Sequence, residues 1–398
     1  MGTHSVPALP APPEAERAPA GGWPAVAAVA AVSFVLVLSE FLPVGLLPSI
    51  SHGLRVDTGR AGLVVVVPGL AAAVAAPLLT MAAGRLDRRH VLLALAALIA
   101  VSDALAASAS GLAVMVGARL LLGLAVGGFW AMGAGAGGRL VPPASVGRAT
   151  ALITAGISAG TVISLPLGSL IGHVADWRTA FVVAALAALL TLVALGLALP
   201  PLRPTGAVRA ATLGSVLRTP PVALTLLIAA IVFFGHFTAY TYITPYLQQR
   251  AHLGPGAVTA VLLGYGSAGL TGNFLAGLAS SRSPRRVLVV AALALAAAVL
   301  LLTRMHDEPA VVGLVLVWGA AFGAVPAAAQ TRVMDLAGQD TDAALALLVS
   351  ASQTFLAVGS FTGGLLTDHA GTTAAFALGG SAVLLSVLVP AGHRRVRG

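Results

Sequence analysis

The chain has 398 residues, of which 58% are hydrophobic and only 9% charged; soluble domains carry roughly 25% charged residues, so a water-soluble globule is excluded. All 22 basic residues are arginine, and the net charge is +9. Without lysine there is no Walker-type phosphate loop, without cysteine no disulfide or thiol chemistry, and no basic soluble domain remains to bind nucleic acid.

Residues 1–22 are rich in Pro, Ala and Glu and read as a disordered tail. They do not read as a signal peptide, because Glu14 and Glu16 precede an apolar run too long for one. From Trp23 onward, apolar runs of membrane-spanning length alternate with short polar breaks. The expected spans are 24–50, 61–82, 91–110, 112–138, 147–171 and 177–199, then 221–248, 257–280, 286–303, 309–331, 343–366 and 372–390. The expected organisation is a six-helix half over 23–199, a polar linker over 200–219, a second six-helix half over 220–391 and a basic tail over 392–398.

A repeat supports the two halves. Arg85-Leu86-Asp87-Arg88-Arg89 links spans 2 and 3, and Arg282-Ser283-Pro284-Arg285-Arg286 links spans 8 and 9. Groups so charged belong at a membrane face, and the same loop in each half marks an internal duplication. A second echo is Gly168-Ser169-Leu170-Ile171 before Ala180-Phe181, matched by Gly363-Gly364-Leu365-Leu366 before Ala375-Phe376 at the same spacing. With the N-terminus inside, sixteen arginines fall on inner segments and five on outer ones, leaving Arg119 within a span. That bias predicts a multi-pass protein of the cytoplasmic (plasma) membrane with both termini and the linker cytoplasmic. The fold class expected is an all-α membrane protein of twelve transmembrane helices in two pseudo-symmetric six-helix halves.

The chain also resembles a known family. The residues that carry the resemblance are Ser39-Glu40-Phe41-Leu42-Pro43-Val44-Gly45 in span 1, Ala118-Arg119-Leu120-Leu121-Leu122-Gly123 in span 4, and Leu165-Pro166-Leu167-Gly168 through Asp176-Trp177-Arg178 in spans 5 and 6. Gly235-His236-Phe237-Thr238-Ala239-Tyr240 through Pro245-Tyr246 in span 7 and Gly272-Asn273-Phe274 in span 8 complete the set. Together they look like the twelve-span drug:proton antiporters of the major facilitator superfamily, in its arabinose-efflux-permease-like branch. The resemblance implies a transporter, not an enzyme, whose halves rock about a mid-membrane site. It implies proton-driven efflux of a small amphipathic, drug-like or sugar-like molecule, with drug resistance as a consequence, by a functional monomer without cofactors. Three departures stand out: His90 where the family has a glycine, Val126 where relatives often have histidine, and Asp103 where they often have asparagine.

The polar residues within spans are the candidate site, since ionisable groups there are costly and default to function. Glu40 is a proton carrier or a boundary carboxylate. Asp103 is a relay group or one that snorkels to the face. Arg119 is a coupling arginine, as the resemblance implies, or half of a structural ion pair. His236 shares a helix face with Tyr240 and Thr244, and lines a cavity, titrates, or rests hydrogen-bonded in the bundle. Trp130, Trp318 and Phe322 stack on substrate or fill space between helices, and Asn273 joins the substrate-binding candidates with His236 and Tyr240. Asp87, Arg88 and Arg89 form a gating clasp or serve topology alone. Gly156, Gly160, Pro166 and Gly168 give span 5 a close, bendable packing face, which the resemblance ties to exchange. No clustered ligand set points to a metal. The other readings open are a sugar or metabolite permease, and a transporter-like membrane receptor.

Overall fold

The computed structural model describes residues 22–82, 87–132, 137–202, 210–280, 283–305 and 307–389. The expected disordered tail up to residue 21, the basic tail 392–398, Arg85 and Arg282 of the two basic loops, and the centre of the linker lie outside the described residues.

Chains this apolar must satisfy their backbone groups within the segment, which selects helix. The long helices are α1 Gly22–Leu54, α2 Leu63–Ala82, α3 Arg88–Ala107, α4 Leu112–Met132, α5 Val146–Val174 and α6 Trp177–Ala198. They continue as α7 Pro220–Tyr240, α8 Pro255–Ser280, α9 Pro284–Leu302, α10 Glu308–Ala337, α11 Thr341–Ala370 and α12 Thr372–Ser386. Among the described residues, nine stretches are long and apolar enough to cross a bilayer, and one of these, Glu308–Ala370, comprises both α10 and α11. The less apolar α8 and the 15-residue α12 complete twelve rods. Aspartates start three of them: Asp87, Asp176 and Asp307 accept the backbone N–H of Arg89, Arg178 and Ala310, closing donors left open at each helix start.

Two details differ from the sequence expectation. The linker, expected only as a polar segment, holds a short helix, Ala210–Leu217. Span 7 is interrupted at Thr241 and Tyr242 and resumes as Ile243–Gln249. Pro245 falls in the first turn of the resumed helix, where its missing N–H costs nothing. The interruption is held by α11: Thr241 Oγ1 and Ser360 Oγ lie 2.8 Å apart, and the Tyr242 hydroxyl donates to the Ser360 carbonyl at 2.9 Å.

Packing repeats with a step of six helices. α1 packs on α5 and α6, α2 on α4, and α3 on α4 and α6; likewise α7 packs on α11 and α12, α8 on α10, and α9 on α10 and α12. The two repeats meet through α2 against α11 and α5 against α8. Glycines set the close approaches in both halves. A Cβ on Gly160 of α5 would stand 2.8 Å from the Phe34 carbonyl oxygen of α1, and one on Gly168 would stand 2.5 Å from that of Leu42. In the second half Gly359 and Gly363 of α11 press in the same way on the carbonyls of Phe234 and Thr238 of α7. Backbones this close exchange side-chain bulk for dispersion contact.

At the face where α1 ends, the halves are tied by Thr244 Oγ1 donating to the Val44 carbonyl at 3.0 Å and by Gly59 N donating to Asp368 Oδ1 at 2.8 Å. Deeper along the same seam, Ser350 Oγ of α11 donates to the Ala73 carbonyl of α2 at 2.7 Å.

Candidate functional site

Two polar clusters lie inside the bundle. The first gathers Glu40 and Ser39 from α1, Asp103 from α3, Arg119 from α4 and Gln353 from α11. All five side chains belong to buried residues, with Asp103 and Arg119 fully inaccessible. Arg119 spreads its donors over two neighbouring helices: Nε donates to the Val64 carbonyl of α2 at 3.0 Å, and Nη2 to the Ser39 carbonyl at 2.7 Å and the Glu40 carbonyl at 3.4 Å. A guanidinium has five N–H donors in a rigid fork, which is what this geometry uses. Its Nη1 lies 3.9 Å from Asp103 Oδ1, and neither atom has a hydrogen-bond partner among the described residues. Asp103 is held from its other side by Ser39 Oγ, which donates to Oδ2 at 2.5 Å. The Phe181 ring of α6 covers the guanidinium at 6.0 Å.

Glu40 is one residue from that clasp but faces the other half: Gln353 Nε2 donates to its Oε1 at 3.0 Å. The cluster thus holds one cation against two carboxyl groups, all on buried residues. Arg119 and Asp103 set opposite charges 3.9 Å apart in this buried site, where either one without the other would be an uncompensated charge.

The second cluster is aromatic and lies in the second half. His236 is fully buried, and Trp318 Nε1 of α10 donates to its Nδ1 at 3.0 Å. An indole N–H only donates, so Nδ1 carries no proton and the imidazole is the neutral Nε2–H tautomer. That Nε2 has no hydrogen-bond partner among the described residues. The ring stacks on Phe322, with centroids 3.4 Å apart, and on Tyr240 at 4.8 Å. Tyr240 in turn lies 5.2 Å from Tyr265 of α8 and 6.3 Å from Phe41 of α1. The Tyr265 hydroxyl also lacks a partner among the described residues. Phe41, Phe233 and Phe322 remain half-buried at the rim of this cluster.

The structure therefore brings together Glu40, Arg119 and Asp103, and separately His236, Tyr240, Trp318 and Phe322. It does not bring Trp130 to either cluster: that residue is half-buried on α4 with an edge contact to Phe129, in the first-half core around Leu95 and Ala125. Asn273 is half-buried on α8, about two helical turns beyond Tyr265. Gly156, Gly160 and Gly168 approach carbonyls of α1 and Pro166 is buried, and Gly359 and Gly363 of α11 approach α7 in the same way, so close glycine packing occurs in both repeats.

The loop residues take a more local arrangement than a charge clasp. One oxygen of Asp87, Oδ1, accepts both Arg89 N at 2.8 Å and Leu202 N at 3.0 Å. These two backbone donors, that of Arg89 first, hold its carboxyl below the usual carboxylate range. Arg88 N donates to the Leu202 carbonyl at 3.1 Å and Arg89 Nη2 to the Gly196 carbonyl at 3.0 Å. Asp87 and Arg89 thereby fasten the start of α3 to the end of α6 within one half, and Arg88 lies within electrostatic reach of Asp342 at the start of α11.

Sequence reasoning missed Gln353, Tyr265 and Phe181. A signal for the first existed: an amide within an apolar span needs a partner.

Twelve apolar helices in two repeats, with a buried ionisable cluster in the first half that Gln353 ties to the second, are those of a multi-span membrane transporter. Comparison with known proteins makes the assignment specific: the chain belongs to the Major Facilitator Superfamily, which it matches over residues 29–272 and 252–397. It is 34% identical to the transcription regulatory protein OpdE of Pseudomonas aeruginosa, with 93% of each chain covered. It is 33% identical to the purine ribonucleoside efflux pump NepI of Escherichia coli K12, covering 92% of this chain and 93% of that one. Among solved structures, the D-xylose–proton symporter shares the fold, with a TM-score of 0.71 at 17% identity over 92% of this chain and 96% of that one. The family consists of transporters rather than enzymes, so the expected class and fold hold.

Proposed function

We propose that this chain is a proton-coupled exporter of purine-ribonucleoside-like molecules, working by alternating access as a monomer. The observation that carries the coupling is the buried Glu40–Arg119–Asp103 cluster: a second carboxyl beside one guanidinium gives the bundle a place to load and release a proton. The proton gradient is a sufficient source, since each charge crossing the membrane yields roughly 2.3 kcal/mol per 100 mV. The efflux pump at 33% identity supports the direction and the substrate class. The aromatic cluster is compatible with a planar, uncharged base: it offers ring faces and an Nε2–H donor on His236 with no charge of its own. This narrows the drug-like or sugar-like substrate expected from the sequence to one that joins a flat ring to a sugar.

The arginine bias supports cytoplasmic termini. In that orientation the face where α1 ends, tied by Thr244 and Asp368, is the outer one. The test is nucleoside flux in proteoliposomes with and without an imposed pH gradient. Wild type concentrates radiolabelled adenosine against its gradient, and Glu40→Gln retains only downhill flux. Uphill transport by Glu40→Gln would place the proton elsewhere, with Asp103 next. A wild type that moves no nucleoside under any gradient would sink the substrate class.

A further inference from the structure

Gln353 occupies an unusual place. Its helix, α11, is seated on α2 of the other half, where a Cβ on Gly69 would stand 3.0 Å from the Gln353 carbonyl oxygen. Three residues earlier, Ser350 donates to the Ala73 carbonyl. From this seam the Gln353 side chain reaches past α2 to Glu40 of α1. Both residues are buried, Glu40 5% and Gln353 6% exposed, so water offers neither a ready substitute partner. The bond therefore joins the two halves through the carboxyl group that changes charge.

We propose that Gln353 is a positioning residue that locks the empty, deprotonated transporter and so prevents leakage of the proton gradient; the proposal rests on the reading of Glu40 as proton carrier. An amide N–H bonded to a carboxylate is roughly twice as strong as the same bond to a neutral acid. The tie between halves is thus strongest when Glu40 is ionised and weakens when it takes up a proton. An exchanger must change state when it carries a proton or a substrate. It must not do so when it carries neither, because a return in that form lets protons cross uncompensated. The Glu40–Gln353 bond is strong in that form, with no bound proton to weaken it and no substrate to offset it.

The charged surroundings of Glu40 are few. Arg119 from α4 meets its backbone carbonyl, and Asp103 from α3 stands behind Arg119. α2 carries no ionisable residue, α7 only His236 and Tyr240, and α11 only Asp342, Asp368 and His369 near its ends. Nothing else within these helices duplicates the amide.

The experiment needs no substrate. Purified protein is reconstituted in liposomes with a trapped pH-sensitive dye, a pH gradient is imposed with potassium and valinomycin to clamp the potential, and proton entry is followed. Wild type is tight. Gln353→Leu, and the unbranched Gln353→Met as a second variant of similar volume, admit protons about five-fold faster or more, the order expected for losing one buried hydrogen bond. In Glu40→Gln/Gln353→Leu the leak disappears, because the carrier is gone. If both Gln353 variants are as tight as wild type, the lock is overturned. The Glu40 reading survives that result provided Glu40→Gln alone still loses gradient-driven flux. A leak that persists in the double variant overturns both.

Discussion

Trp318 donates its indole N–H to Nδ1 of His236 at 3.0 Å and thereby decides which nitrogen of the imidazole carries the proton. The remaining N–H, on Nε2, is left buried without a partner among the described residues. An unpaired buried donor is costly until it finds an acceptor, and under the proposed function an acceptor on the nucleoside would supply one.

Trp318→Phe tests this. It keeps an aromatic ring at the position and removes the single donor, freeing His236 to change tautomer. Substrate affinity should fall by about five- to tenfold, the value of roughly one hydrogen bond. Turnover at saturating substrate should change less. Adenosine binding measured by scintillation proximity checks the affinity; an unchanged Kd would remove the pair from the binding site.

Much of this architecture could be read before any coordinates, for a physical reason. In hydrocarbon the pattern of apolar runs and charged loops has few solutions, so the twelve rods and the two repeats were legible from residue type alone, whereas residue type left Asp103 between the interior and the membrane face. What was not legible was partnership. That Ser39 rather than Arg119 makes the short contact to Asp103 depends on rotations of α1 and α3 that no spacing encodes. Trp130 and Trp318 look alike in sequence, each aromatic in a glycine-rich span, yet only Trp318 reaches the second-half cluster. Asp87 read as one side of a clasp or as topology alone, and its capping of α3 through the backbone N–H groups of Arg89 and Leu202 depends on a chain path that no spacing encodes.

Arg119 and Asp103 should behave as one unit. Removing either leaves the other buried without its counter-charge, which costs about 3–5 kcal/mol when a buried pair is broken. Arg119→Met and Asp103→Asn should each lower the melting temperature in detergent. The double variant should be more stable than the sum of the two losses implies, because neither member of the pair is left without the other. Additive losses would mean that the 3.9 Å separation reflects no energetic coupling.

The glycine seams offer a test of the repeat. Gly160→Leu on α5 and Gly359→Leu on α11 both force side-chain atoms into a facing carbonyl, of Phe34 and Phe234 respectively. Both should reduce folded yield and abolish transport, since neither backbone can retreat without parting its helix pair. Were the α5 seam reserved for exchange, Gly160→Leu would keep the fold and lose only coupling, while Gly359→Leu would be tolerated. Size-exclusion profiles and proton-gradient-driven flux measured on the same preparations separate the two outcomes.

Asp87 separates capping from gating. Its Oδ1 alone accepts both backbone donors, from Arg89 and Leu202, and an asparagine carbonyl can do the same. If capping is the role, Asp87→Asn retains both bonds and transports at a rate within about two-fold of wild type, whereas Asp87→Ala loses about 1 kcal/mol of stability, the usual worth of an N-cap. If the negative charge is the role, as in a clasp against Arg88 or Arg89, Asp87→Asn slows turnover as much as Asp87→Ala does. The pH dependence has a definite sign. Backbone donors hold the folded carboxyl below its unfolded value, so its stabilisation is fully present above the usual carboxylate range and is lost as the pH falls through the lower, folded value. The melting-temperature gap between wild type and Asp87→Ala should therefore be constant from about pH 8 to pH 5 and narrow only below about pH 4. A gap that closes near neutral pH would show that a group other than Asp87 titrates there, and the cap would not be what fastens α3 to α6.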